Sequence, residues 1–173
     1  MEWIIIAFEY KKLIQKLIFQ LKFYHKRDVV DFLTERLNLV LSSHEILQKE
    51  DKNLIFFSYI PSHRRRKYFE KGYNQSELLA KSLAKKQNRP CLQVAKKIKY
   101  TLSQLHFDRQ WRQSNISQAF KILSLDALPK NAILILVDDV TTTGSTILEL
   151  TNNIKKERED LKIRWLVIAR HNG

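Results

Sequence analysis

Glycine is in short supply: the chain has three in 173 residues, one of them the terminal Gly173, where ordinary usage is about 7%. The two internal ones, Gly72 in a basic loop and Gly144 in a Thr-rich loop, therefore mark places where the backbone needs freedom. A phosphate loop of the form G-x-x-x-x-G-K-[ST] is excluded, because neither internal glycine begins one. Cysteine is nearly absent. Cys91 alone closes no internal disulfide and supplies no zinc cluster, so no zinc is expected and a reducing cytoplasm fits. Long apolar runs are missing too: Ala132–Val137 and Leu54–Phe57 fall far short of the roughly 18 residues of a membrane span. The opening Met1-Glu2-Trp3 lacks the basic n-region and small-residue cleavage site of a secretory signal. The expectation is a cytoplasmic protein with no transmembrane segment. Acidic residues are outnumbered, 18 against 31 Lys and Arg, for a net charge of +13. That excess suits a nucleic acid, a phosphorylated small molecule or an acidic membrane face, and also a surface of scattered, solvated lysines.

What remains is ample for a fold. Hydrophobic residues make up 44% of the chain and charged ones 28%, which excludes a disordered or collagen-like polypeptide. The length fits one domain, 1–173, with an N-terminal strand and helices over 1–50 and a core over 51–173. Trp3–Phe8 reads as a short strand. Leu13, Ile14, Leu17, Ile18 and Leu21 then recur at helical spacing, with Lys11, Lys12, Lys16 and Lys22 over the rest of the surface. Such a helix can lie on a membrane or in a groove, but packing its stripe on its own domain is the commoner use. A second helix begins at Asp28. Beyond it, strands and helices alternate as in an α/β domain with a mostly parallel sheet. Leu54–Phe57 and Ala132–Val137 are buried strands, Leu78, Leu79, Leu83 and Ala84 lie on a helix, a helix runs from Thr146 to Glu159, and Lys162–Ala169 is the last strand.

The strongest local signal is the strand Ile133–Val137, then Asp138, Asp139 and Val140, then Thr141, Thr142, Thr143, Gly144, Ser145 and Thr146 leading into a helix. The first amides of a helix lack internal partners and carry the positive end of its dipole, so they hold a phosphate well, with Thr and Ser hydroxyls as further donors. Two carboxylates just upstream suit the vicinal hydroxyls of a ribose whose 5-phosphate occupies the loop. Other readings exist. The strand resembles the Mg²⁺-binding strand of a P-loop enzyme, which the missing glycines exclude. A phospho-acceptor domain places its aspartates near the start of the chain, whereas these lie late. Ser145 or Thr146 could also simply cap the helix while the aspartates solvate a strand end.

Two basic stretches complete the inventory. Pro61, Ser62, His63, Arg64, Arg65, Arg66 and Lys67 follow the first core strand. Guanidinium groups pair bidentately with phosphate, and amides after Pro61 could form an anion nest, although a plain solvated charge run is the alternative. From Lys96 to Arg112, Lys96, Lys97, Lys99, Arg109 and Arg112 mix with Tyr100, Phe107 and Trp111. This reads as a long, mobile loop. Interleaved cations and rings suit single-stranded nucleic acid, and they equally suit a loop anchored on the domain by Phe107 and Trp111.

The stretch Leu134–Thr146 resembles the 5-phosphoribosyl-1-pyrophosphate (PRPP) signature of type I phosphoribosyltransferases, with Thr141 where an aliphatic residue is commoner. Lys71-Gly72-Tyr73-Asn74-Gln75-Ser76-Glu77-Leu78-Leu79-Ala80 is similar to the R-G-F-N-Q-A-E-L-L-A element of the ComF family of competence proteins, which are amidophosphoribosyltransferase-like. Thr101, Gln104, Arg112, Asn115, Ala119 and Phe120 keep the spacing of that family's T-x-x-Q, R-x-x-N and A-F positions. The resemblance covers roughly residues 10 to 170, and the chain lacks the C-x-x-C zinc ribbon with which many members begin.

The resemblance implies a type I phosphoribosyltransferase-like α/β fold with a mostly parallel central sheet flanked by helices and an N-terminal helical extension. It implies PRPP binding with Mg²⁺ carried by the ligand rather than by the protein. Asp138 and Asp139 would orient the ribose, and Thr141, Thr142, Thr143, Gly144, Ser145 and Thr146 would hold the 5-phosphate. Pro61, Ser62, His63 and Arg64 would form the pyrophosphate loop. Arg65, Arg66, Lys67, Lys71, Lys99, Gln104, Arg109 and Arg112 are candidates for a flexible loop or for nucleic acid. In process, it implies DNA uptake during natural transformation, with single-stranded DNA handled at the cytoplasmic side of the inner membrane beside a channel or translocase. The alternative is an active transferase moving ribose 5-phosphate from PRPP to an acceptor that no pocket in the sequence identifies.

Overall fold

The computed structural model describes residues 3–24, 26–44, 48–62, 73–98 and 119–171. The order is β1 (Trp3–Glu9), α1 (Lys12–Phe23), α2 (Arg27–Ser43), β2 (Ile55–Tyr59), α3 (Gln75–Lys86), β3 (Ala95–Lys97), β4 (Phe120–Ile122), β5 (Ile133–Thr141), α4 (Ser145–Glu157) and β6 (Lys162–Arg170). Four strands form a parallel sheet in the order β1-β6-β5-β2, and β3 and β4 form a separate antiparallel pair. This is the expected α/β architecture with a parallel central sheet and flanking helices. The N-terminal strand joins the sheet as an edge, Ile5 pairing with Leu166 and Phe8 with Ala169.

Both faces of the sheet are covered, which explains why the central strands read as unbroken apolar runs. Along β5 the side chains alternate: Ile133, Ile135 and Val137 join the core formed with α1, α2 and α3, while Leu134 and Leu136 join a second core formed with α4, β3 and β4. On α1 the buried stripe is Ile14, Ile18 and Leu21, and on α2 it includes Val29, Leu33, Leu37 and Leu41, the spacing of one helical face. The basic helix α1 thus packs on its own domain. Among the described residues, no helix is long and apolar enough to cross a membrane.

Several boundaries depart from the sequence reading, and two of them border the site. The strand expected to stop at Val137 continues through both aspartates to Thr141, because β6 supplies partners that far: Asp138 pairs with Val167, Val140 with Ala169 and Thr141 with Arg170. The loop expected from Lys96 starts later, since Lys96 and Lys97 belong to β3 and face Lys121 and Phe120 of β4. Lys99, Gln104, Arg109 and Arg112, like His63, Arg64, Arg65, Arg66, Lys67, Lys71 and Gly72, lie outside the described residues.

Candidate functional site

Beyond the carboxyl ends of β2 and β5 lies a cleft of about 310 Å³, where open parallel sheets bind ligands. One wall is contiguous in sequence. Asp138 and Asp139 stand on β5, and the chain leaves the strand at Thr141, whose carbonyl accepts from the His171 amide at 2.9 Å. It then turns through Gly144 into α4. Gly144 has φ 75°, the left-handed region, and is the residue before the first helical turn, so it sets the angle at which the α4 amides face the cleft. The ring of Trp165 packs beneath, 3.5 Å from where a Cβ at Gly144 would sit, and its Nε1 donates to Thr151 Oγ1 at 2.9 Å.

The sequence-predicted residues distribute unevenly here. Asp138, Asp139, Thr141, Thr142, Gly144, Ser145 and Thr146 line the cleft together with Pro61 and Ser62. Thr141 is buried, whereas Thr142 and Thr143 are exposed. Thr143 braces the turn, its hydroxyl donating to Ser145 Oγ at 3.0 Å.

The opposite wall comes from α1, α3 and β3. Asn74, buried at 6% exposure, caps α3 by accepting from the Ser76 amide at 3.2 Å, while its Nδ2 donates to the Ile60 carbonyl at 2.9 Å. One side chain thereby ties the start of α3 to the end of β2. Ser76 donates its hydroxyl to Asp138 Oδ1 at 2.7 Å, and the same oxygen accepts the Asp139 amide at 2.9 Å. Asp139 is held differently: its Oδ1 accepts the Val140 amide at 2.7 Å, and its Oδ2 lies 3.0 Å from Lys22 Nζ on α1. Strand alternation puts Asp139 on the sheet face that α1 covers, which is why this lysine meets it. Phe23 and Lys97 also line the cleft.

The two carboxylates compete electrostatically. Burial, followed by the neighbouring Asp139 charge, pushes Asp138 up to about 7, against the opposing pull of the Ser76 hydroxyl, the Asp139 amide and Lys22. Its Oδ2 has no partner among the described residues, so this oxygen remains to accept a hydroxyl of a ligand. Cys91 takes no part: burial pushes its thiol up to about 11, which leaves it un-ionised and inert near neutrality.

Reading the sequence for sites missed Lys22, Asn74 and Ser76. Asn74 and Ser76 lay within a stretch noted only for its family resemblance, and their polar types before a helix were the available signal. Lys22 carried none, being one lysine among several on a basic helix. The A-F positions Ala119 and Phe120 are buried, and the Ala119 amide donates to Glu149 of α4 at 2.9 Å.

A parallel sheet with an acidic pair, a glycine turn and a helix start at the carboxyl end of a central strand fits the phosphoribosyltransferase class of fold. Two solved structures agree: an adenine phosphoribosyltransferase (TM-score 0.52, 11% identity, 86% of this chain and 74% of that one) and the adenine phosphoribosyltransferase of Saccharomyces cerevisiae (TM-score 0.51, 12% identity, 86% and 72%). No family model matches the chain. Curated relatives do: competence protein F of Haemophilus influenzae is 30% identical over 146 residues, 83% of this chain and 61% of that protein, and DNA utilization protein YhgH of Escherichia coli O6:H1 is 30% identical over 146 residues, 82% and 61%. YhgH of Salmonella typhi is 34% identical over 89 residues, 49% of this chain and 37% of that protein. The chain is a homologue of these competence protein F and YhgH proteins, and it spans about 61% of the length of the first of them.

Proposed function

We propose that this chain is a PRPP-binding protein of the ComF type that acts in DNA uptake during natural transformation, handling single-stranded DNA at the cytoplasmic side of the inner membrane. The observation that carries the reading is the wall drawn from the stretch Asp138 to Thr146, with one carboxylate oxygen unpartnered among the described residues and a helix start beside it. In this reading Asp138 Oδ2 accepts from a ribose hydroxyl, while Ser76 and Lys22 hold the pair in place so that the carboxylates do not have to be ordered by the ligand. The α4 amides with Ser145 and Thr146 take the 5-phosphate, and Gly144 sets their angle. Pro61 and Ser62, which also line the cleft, take the pyrophosphate end in this reading. In this reading Mg²⁺ is carried by the ligand rather than by the protein. When bound, the ion neutralises charge on the pyrophosphate. The DNA role draws on the competence and DNA-utilization relatives, and on the net charge of +13.

Calorimetric titration with PRPP, with and without Mg²⁺, tests the site. Saturable binding by the wild type that disappears in the Asp138→Asn/Asp139→Asn variant is the expected result. A folded wild type that takes up no PRPP would leave the fold without this ligand.

A further inference from the structure

A groove of about 710 Å³ runs along the outer side of α1 and meets the cleft at Lys22, which lines both. Its walls carry Lys12, Lys16 and Lys26 beside the rings of Phe19 and Tyr24. The helix contains no acidic residue from Lys12 to Phe23. Among the described residues Lys12, Lys16 and Lys26 have no carboxylate partner, and only Lys22, at the cleft end, is paired. The rings stand outward: Phe19 is 52% exposed and Tyr24 60%, with centroids 6.1 Å apart, and Phe23 lies 4.5 Å from Phe19. The buried stripe of α1 is supplied by Ile14, Ile18 and Leu21.

We propose that this face of α1 is a platform for single-stranded DNA, leading to the cleft at Lys22; the inference rests on the DNA-handling reading above and assigns it a surface. The lysine ammonium groups track backbone phosphates, and Phe19 and Tyr24 stack on unpaired bases. A duplex hides its base faces and offers this groove phosphates alone.

The test is fluorescence anisotropy of the full chain with a labelled short oligothymidylate, through a salt titration. Phe19→Ala is expected to weaken binding by about five-fold or more with the salt dependence unchanged. The triple variant Lys12→Gln/Lys16→Gln/Lys26→Gln is expected to lower the log–log salt slope by about 2, since each phosphate contact on a single strand contributes about 0.7. Lys121→Gln/Lys156→Gln, exposed on the α4 side, should stay within about two-fold of wild type, because it touches no phosphate in this proposal. Thermal unfolding checks that every variant is folded. If the wild type binds and neither α1 variant changes it, the strand uses another surface: this proposal falls and the DNA-handling reading stands. If the wild type binds no oligothymidylate at low salt, that reading falls and takes the platform with it. Uptake of the protein by phosphatidylglycerol vesicles without oligothymidylate binding would assign the face to a membrane instead.

Discussion

On its α4 side the cleft is walled by one stretch of chain, from Asp138 on β5 through Gly144 to Thr146, whereas its other side brings Lys22 from α1 and Asn74 and Ser76 from the start of α3. The first wall is fixed by backbone geometry, namely strand pairing as far as Thr141 and one left-handed residue. The second is fixed by packing, because its side chains arrive from helices that meet β5 only once the core on that face of the sheet has formed. A local wall fails when its own backbone is strained; an assembled wall fails when a tie elsewhere is cut. Both converge on Asp138, which takes its covalent place from the first and its hydrogen bond to Ser76 from the second.

The largest effect is expected from straining the local wall. Gly144→Val forces a β-branched residue to φ 75°, which costs on the order of 1–3 kcal/mol. It also turns the α4 amides off line, so urea unfolding should report the destabilisation and calorimetry a loss of PRPP binding. Cutting the assembled wall comes next. Asn74→Ala removes the α3 cap and the tie to Ile60, and leaves a buried carbonyl unpaired, for about 1–2 kcal/mol. Its signature is different: PRPP affinity weakens without vanishing, since the α4 wall is intact. Equal damage to binding by both variants would erase the distinction between the walls.

The third effect has the opposite sign. Asp138 is raised from 3.8 to about 7 in the folded protein, so between those values the native state holds a proton that the unfolded chain has shed. Stability from this group is therefore full below about pH 4 and lost as pH climbs through about 7. Asp138→Asn keeps an acceptor for Ser76 and removes the charge. The variant should unfold at a higher temperature than wild type at pH 8, and the gap should close toward pH 4. A pH-independent gap would mean that Asp138 is not held out of its ordinary range by burial and Asp139.

The same division explains what could be read in advance. The strand–turn–helix wall was legible because its chemistry sits in consecutive residues: an apolar run, two aspartates, a glycine and hydroxyl side chains. The parallel sheet was legible from apolar runs alternating with helical periodicity. The end of β5 was not, because nothing in Asp138-Asp139-Val140 announces that β6 will pair with it, and aspartate by itself speaks for a loop. Lys22 was invisible for a related reason: its role depends on which face of β5 α1 covers, a fact of tertiary packing. Asn74 lay between, a helix cap by type whose second bond, to Ile60, no local pattern contains.

The second bond of Asn74 makes one amide a shared fastening for two elements. Its Nδ2 donates to Ile60 at the exit of β2, and its Oδ1 accepts from the first turn of α3. Ser76, and through it Asp138, is therefore referenced to the end of β2 as well as to β5, so a shift of β2 along its neighbour would be carried to the carboxylate through α3.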